Sequence, residues 1–334
     1  WKNEERLMKN TTFILIGAAI LDVLARPVGA DVFQTGSVPA DTLTVHTGGD
    51  AMNEACALAA LGAQVRLVTR LGKDTAADMI LARCGSLGID TSCIKRSASV
   101  PTGVNVVLVG PDGERHFITS PHGTLRKFYP ADISPEALQG GKFLCFASIF
   151  VAPPFTAGAC AALFRQAREN GLTVCADMTK RKNGETLDDM RECLSCLDYL
   201  FPNYEEASLL TGKADWDDIA DAFLDCGVGH VILKAGSRGC FIKTRSERFW
   251  IPAVSGISCV DTTGAGDTFA ACFLYALDRG LSLADCGRFA NAGASFCIET
   301  VGAAGAGNDP DAILKRAGLA GRYPPAGLQH KPVV

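Results

Sequence analysis

Apolar residues along this chain fall into short, almost unbroken runs, separated by stretches in which they recur every three or four positions. The runs are FILIGAAILDVL (13–24), VRLVTRLG (65–72), FLCFAS (143–148), LTVCADM (172–178), YLFPN (199–203) and HVILKAG (230–236). Unbroken runs of this length predict strands buried on both faces. The periodic stretches between them, such as NEACALAALG (53–62) and AGACAALFRQAREN (157–170), predict helices with one apolar face. Strands alternating with helices in this way predict an α/β fold with a mostly parallel sheet covered on both sides.

Two stretches break that rhythm. Residues 25–47 carry two prolines and TLTVHTGG, and residues 93–123 read as strand, PDG turn, strand. Both are expected to be helix-free and to form one small β-sheet hinged on the main domain. Within the second stretch Val104, Val106 and Leu108 fall on one side. A small sheet with an apolar face is marginal in water, so something is expected to cover that side.

Composition narrows the classes. The chain has 334 residues, 48% of them hydrophobic, enough for one large α/β domain or two small ones. A net charge of −4 disfavours nucleic acid as the main partner. The fourteen cysteines lie mostly inside apolar runs, which suits small core thiols in a reducing compartment better than a secreted disulfide framework. Cys193 and Cys196 form a CxxC with no second pair at zinc-finger spacing. The charged start WKNEERLMKN lacks a signal-peptide core, and no run approaches a bilayer's thickness, so a cytoplasmic, membrane-free protein is expected. Met8 would serve as a natural start, with 1–11 an N-terminal extension and 321–334 a C-terminal tail around a domain spanning 12–320.

In open α/β sheets ligands bind outside the carboxyl ends of the strands. Polar residues and glycines collect at those places: Asp22; Gly48, Gly49 and Asn53; Asp177 and Arg181; Asn203 and Glu206; Lys234, Gly236 and Gly239. Each also has a plain structural explanation. TGGDAMN can be a turn and helix cap, Asn203 and Glu206 a capping pair, and Lys234 a solvated charge. Their recurrence at strand after strand is what capping alone explains poorly.

The stretch DTTGAGDTFA (261–270) adds chemistry. Phe269, Cys272, Phe273, Ala276 and Leu277 make one helical face ending at Gly280, so a helix is predicted to start at about Asp267. Gly264, Ala265 and Gly266 would then point successive N–H groups at an anion of phosphate geometry. A carboxylate at such a place repels a resting phosphate, unless it takes a proton from a nucleophile that attacks it. Cradle and base together point to phosphoryl transfer to a hydroxyl. The competing phosphate motifs are absent: there is no G-x-x-x-x-G-K-[ST], no H-R-D or D-F-G set, and Phe269 breaks G-x-G-x-x-G.

With GGDAMNEACALAALGA near one end and DTTGAGDTFAACFLYAL near the other, and NYEE and ANAGAS at the family's usual places, the chain resembles the ribokinase-like carbohydrate kinases, the phosphofructokinase-B family, over about residues 12–315. The resemblance implies a ribokinase-like three-layer α/β/α domain with a small β-sheet lid, using ATP and Mg2+ on a small sugar or sugar acid. It implies that Asp267 is the base and that Gly264, Ala265 and Gly266 form the anion hole. Asp22, Gly48, Gly49 and Asn53 would hold sugar hydroxyls. DMTKR (177–181) resembles the D-x-N-x-R stretch of fructokinases and 2-keto-3-deoxygluconate kinases, with Thr179 in place of its asparagine, and puts Arg181 near the substrate. Asn203 and Glu206 would act near the phosphates and magnesium through water. Lys234, Gly236 and Gly239 would border the nucleotide, and Asn291 would lie at the adenine pocket. Many relatives bind potassium beside the anion hole; Asp261 and Thr263 match the start of that site, and the loop 298–307 would supply carbonyls. Segments 25–47 and 93–123 would be the lid, its apolar side covered by bound sugar, by a second subunit in a homodimer, or by both.

The substrate stays open on these residues. Asp50 stands where ribokinases commonly have lysine and fructokinases alanine, and no acid follows FLCFAS. A nucleoside kinase of the same fold would be expected to carry aromatics in the lid, which offers Phe33 and Phe117. A catalytically silent sugar-binding regulator would be expected to have lost Asp267 or the glycines.

Overall fold

The apolar run 13–24 is two strands, not one. In the computed structural model, which describes residues 13–112, 114–300 and 309–323, the chain leaves the main sheet at Gly17. Gly17 has φ +154°, and a Cβ there would stand 2.7 Å from the Ala147 carbonyl oxygen. Strand β1 (Phe13–Ile16) therefore ends in the main sheet, and β2 (Ile20–Arg26) begins a second one. The proposed extension 1–11, residues 301–307 of the proposed carbonyl loop and the tail beyond 323 lie outside the described residues.

Strands β3 (Thr42–Gly48), β4 (Val65–Val68), β5 (Arg70–Gly72), β6 (Lys95–Ser97), β7 (Val104–Val109) and β8 (Arg115–Thr119) follow. Then come β9 (Phe143–Ile149), β10 (Thr173–Met178), β11 (Tyr199–Leu200), β12 (His230–Lys234), β13 (Cys240–Lys243) and β14 (Arg248–Ile251). The main sheet has the order β14-β13-β12-β11-β10-β9-β1-β4. Its strands from β12 to β4 pair in parallel, and β13 and β14 close one edge as an antiparallel hairpin.

Alternation along the buried strands sorts side chains into two layers. Phe13 and Leu15 join a core with the helices Asp50–Ala60, Thr75–Ser86, Ala265–Asp278 and Leu283–Cys297. Ile14 and Ile16 join the opposite core with Ala157–Glu169, Leu187–Leu194, Tyr204–Thr211 and Trp216–Asp225. The result is a three-layer α/β/α sandwich. All fourteen cysteines are free thiols, and Cys193 and Cys196 are buried within the second core.

The small sheet has the order β3-β2-β7-β8. It draws on both rhythm-breaking segments, with three differences from expectation. It starts at Ile20 rather than 25, because the bend at Gly17 comes earlier than the hydrophobic run reveals. Residues 93–103 stay with the main domain, where β6 pairs with β5 and the Thr102 hydroxyl accepts from Gly72 N–H while donating to Asp74. Segment 25–47 also holds one helical turn, Val32–Thr35.

The register also fixes which side is which. Asp22 pairs with His46 and Asn105, and Asn105 with Thr119, so these four share a face. Arg115, two pairs further along that face, reaches across to Asp261 and Thr263 of the main domain. Val104, Val106 and Leu108 are on the other face, pointing away from Asp22. Bound substrate beside Asp22 cannot cover them, which corrects one of the two covers expected for that side. Leu43, Val45 and Ile118 on the same outer face are 72%, 47% and 56% exposed.

Candidate active site

The glycine pair after β3 is explained by what lies against it. Gly49 adopts φ +92° with its missing Cβ only 2.6 Å from the Ala18 carbonyl oxygen, so no other residue lets the helix Asp50–Ala60 start so close to the bend after β1. A Cβ on Gly48 would stand 1.9 Å from Asp22 Oδ2. Gly48 thus leaves the room that the Asp22 carboxylate occupies. Asp22 accepts from the Asn105 amide at 3.1 Å, and burial raises its pKa above the ordinary carboxylate value. Gly48 and Gly49 act here through the space they leave.

The helix bearing Asp267 runs Ala265–Asp278, two residues earlier than predicted, because Gly264 takes the left-handed N-cap conformation at φ 74°. Ala265 N–H already donates to the Thr262 carbonyl at 3.2 Å. A phosphate cradle here would therefore be displaced by a residue or two from the expected triplet: first-turn positions such as Gly266 and Asp267 carry the N–H groups that a helix leaves without an internal acceptor. Asp267 lies in that first turn, half-buried. Its Oδ2 accepts from the Asn53 amide at 2.7 Å. Asn53, expected on sugar hydroxyls, is thus bonded to the candidate base. Burial and the nearby Asp50 charge push the Asp267 carboxyl up to about 8, against the lowering effect of Asn53.

Beside the cradle stands Lys234, at the end of β12. Its ammonium lies 3.3 Å from the position a Cβ on Gly266 would take. It is paired with Asp177, which ends β10 and is 3% exposed, through a close contact between Nζ and Oδ2. The surrounding carboxylates, Asp177 and Glu206 foremost, hold Lys234 charged despite its burial. Asn203 caps the helix Tyr204–Thr211: its Oδ1 accepts from Glu206 N–H, and Glu206 Oε2 accepts from Asn203 N–H, each at 2.9 Å. The structural alternative considered for this pair is therefore real. The capping carboxylate is also part of the charged cluster, since burial and Asp177 push Glu206 up to about 7 while Lys234 pulls it down.

Other expected residues sit apart from this cluster or act through backbone. Arg181 donates to the Glu185 carbonyl of its own loop at 2.7 Å. Gly239 adopts φ +99° where a Cβ would meet the Ile251 carbonyl oxygen at 2.1 Å, so it closes the β12–β13 connection that Gly236 opens. The Asn291 amide donates to the carbonyls of Ile251 and Pro252 at 3.2 and 3.1 Å, tying its helix to the segment after β14. Asp261 accepts from Thr263 N–H and hydroxyl at 2.8 Å, and both residues also hold the Arg115 guanidinium.

Three contributors escaped the reading of strand ends. Arg115 lies in a strand of the small sheet, far along the chain from the motifs. Asp50, noted only as a departure from relatives, raises the carboxyls of Asp22, Asp177, Glu206 and Asp267 together. Glu54, fully buried, sits on an otherwise apolar helical face, and that break in the pattern was the available signal.

A three-layer domain carrying a small sheet beside the carboxyl ends of its parallel strands has the architecture of ribokinase-like kinases. The chain belongs to the pfkB family of carbohydrate kinases, whose profile matches residues 10–309. It is 30% identical to a ribokinase of Staphylococcus aureus over 279 residues, covering 79% of this chain and 88% of that one. It is 28% identical to an aminoimidazole riboside kinase of Salmonella typhimurium, covering 70% and 74%. The structure of Arabidopsis thaliana ribokinase complexed with ribose and ATP superposes with a TM-score of 0.78 at 27% identity, covering 92% of this chain and 98% of that one. The protein is accordingly an ATP-dependent phosphotransferase acting on a sugar or nucleoside. No described helix is long and apolar enough to cross a membrane.

Proposed function

We propose that the chain transfers the γ-phosphoryl group of ATP to a hydroxyl, most simply a primary one, of a small sugar or sugar acid, with Asp267 as the base. The observation that carries this reading is the placement of Asp267 in the first helical turn, with Lys234 beside Gly266 and Asn53 fixing one carboxylate oxygen. An Asp267 oxygen takes the proton of the attacking hydroxyl while the first-turn N–H groups and Lys234 receive charge developing on the transferred group. A carboxyl raised to about 8 is a stronger base than an ordinary aspartate, which suits removal of a poorly acidic proton. Asp22, framed by Asn105 and Gly48, accepts from substrate hydroxyls. The lid, joined to the core by Arg115, excludes water so that phosphate goes to the substrate rather than to hydrolysis.

The donors near the phosphates suit magnesium held through water: Glu206 keeps Oε1 outside its capping bond, next to Asn203. Bound there, the metal would offset phosphate charge. A potassium ion fits less well. At Asp261 and Thr263 it would have to displace the Arg115 guanidinium, which already supplies positive charge at that point.

One observation favours a nucleoside as the second reading. Phe117 pairs with Val107 on the lid face shared with Asp22 and is 61% exposed, so it can stack on a base. Phosphorylation assays with magnesium and ATP against sugars, sugar acids and nucleosides decide between them. Turnover of a bare sugar or sugar acid, with nucleosides inert, supports the first reading; the reverse preference replaces it with the second; and no turnover with any acceptor overturns both.

A further inference from the structure

The helix Asp50–Ala60 turns Ala51, Met52, Ala55 and Leu58 into the core at 0% exposure, and Glu54 is buried among them to the same degree. Among the described residues, neither Oε1 nor Oε2 of Glu54 has a hydrogen-bond partner by geometry, the weak Cys145 thiol being the nearest donor. An oxygen of Glu54, one of Asp177 and one of Asp267 all lie within 4.8 Å of each other. Three carboxylates thus converge where one ammonium, Lys234, is the neighbouring cation. An ionised carboxylate buried without a charged or strong hydrogen-bonding partner is among the costliest groups a protein can bury. Something neutralises this one.

A cation is the first candidate, but its ligands are already engaged. Asp177 Oδ1 accepts from Met178 N–H at 2.7 Å and Oδ2 from Lys234, while Asp267 Oδ2 accepts from Asn53. A metal there would also face the Lys234 ammonium at close range. A proton needs only one oxygen of each partner. We propose that Glu54 is carried as a neutral carboxylic acid whose O–H is directed at the Asp177–Asp267 carboxylates, which makes it a positioning residue for the base. This rests on the reading of Asp267 given above.

The groups facing Glu54 agree with that state. Asp177 on β10 and Asp267 on its helix disfavour a third negative charge, and burial acts the same way. Lys234 on β12 opposes them but is engaged with Asp177. The thiols of Cys145 on β9 and Cys175 on β10 are pushed up by burial and stay neutral; Cys145 is the nearest donor and a weak one. With Glu54 neutral, the Lys234 charge remains available to the phosphate. If Glu54 ionises, a further buried charge is added beneath the cradle, opposing both the incoming phosphate and ionisation of Asp267. Activity should therefore fall on the alkaline side.

Wild type, Glu54→Gln and Glu54→Ala separate the possibilities. Infrared difference spectra of wild type minus Glu54→Gln should show a protonated-carboxyl C=O band at neutral pH, any Asp267 band being common to both, and this arm needs no kinase turnover. Removing the side chain in Glu54→Ala should lower kcat by about tenfold or more, the scale of losing one buried hydrogen bond to a charged group. Glu54→Gln keeps an N–H donor in the same place and should recover most of that loss while extending activity to higher pH. Absence of the band, or Glu54→Gln as impaired as Glu54→Ala, overturns the assignment. So does calorimetric binding of Mg2+ or Mn2+ without nucleotide that Glu54→Gln abolishes, because the cluster would then be a metal site. A spectroscopic band with no turnover on any acceptor would sink the kinase reading of Asp267 and leave the protonated Glu54 standing.

Discussion

Replacing Asp267 with asparagine removes the proposed base and little else. The two side chains have nearly the same shape, and the asparagine carbonyl can still accept from Asn53, so the 2.7 Å contact and the helix start should survive. General-base loss is worth about 10²–10⁴ in rate, or roughly 3–5 kcal/mol of transition-state stabilisation. The structure adds an opposite effect on stability. The folded protein holds the Asp267 proton more tightly than the unfolded chain, from an ordinary 3.8 up to about 8, through burial and the Asp50 and Asp177 charges. The contribution of that proton to stability is complete below about 4 and is lost as the pH rises towards 8. A neutral asparagine escapes this loss. Asp267→Asn should therefore lower kcat by at least about 100-fold at saturating substrate, keep its ATP affinity by calorimetry, and melt above wild type at pH 8 with the gap closing towards pH 5. In wild type, kcat/KM should climb with pH as Asp267 ionises. A variant within tenfold of wild-type kcat, or one that melts lower at pH 8, would refute the reasoning.

Asp22→Ala should raise the KM for the phosphate acceptor far more than that for ATP, because its carboxylate sits on the lid face with Asn105 and His46; equal effects on the two substrates would place it elsewhere. Arg115→Ala cuts the contact between lid and core, and acceptor KM should rise roughly tenfold, the scale of a charged hydrogen bond, with potassium partly restoring it. A wild type that already requires potassium would contradict Arg115 as the resident positive charge. Leu43→Asp together with Ile118→Asp should turn a homodimer into a monomer in light scattering, since both are exposed on the outer lid face; an unchanged mass, whether dimeric or monomeric before, would remove that face as the contact.

Local pattern was enough for the α/β alternation, the strands at 143–148, 172–178 and 230–236, and the strand ends where polar residues gather. Those features follow from burial on two faces and from local periodicity, which operate within a few residues. It also marked the GAGD helix start, because two glycines before an acid have few local uses. The remaining features depend on contacts between segments far apart in the chain. The break inside 13–24 is set by the Ala147 carbonyl, 130 residues from Gly17, and no local pattern records that contact. The outward direction of Val104, Val106 and Leu108 came from pairing with β2, since strand periodicity gives two faces without saying which meets the site. Asn53 met Asp267, and Arg115 met Asp261, through contacts spanning 214 and 146 residues. The charges of Glu54, Asp177, Glu206 and Asp267 were undetermined until the fold gathered them around Lys234, because the proton affinity of each carboxylate depends on its neighbours in space.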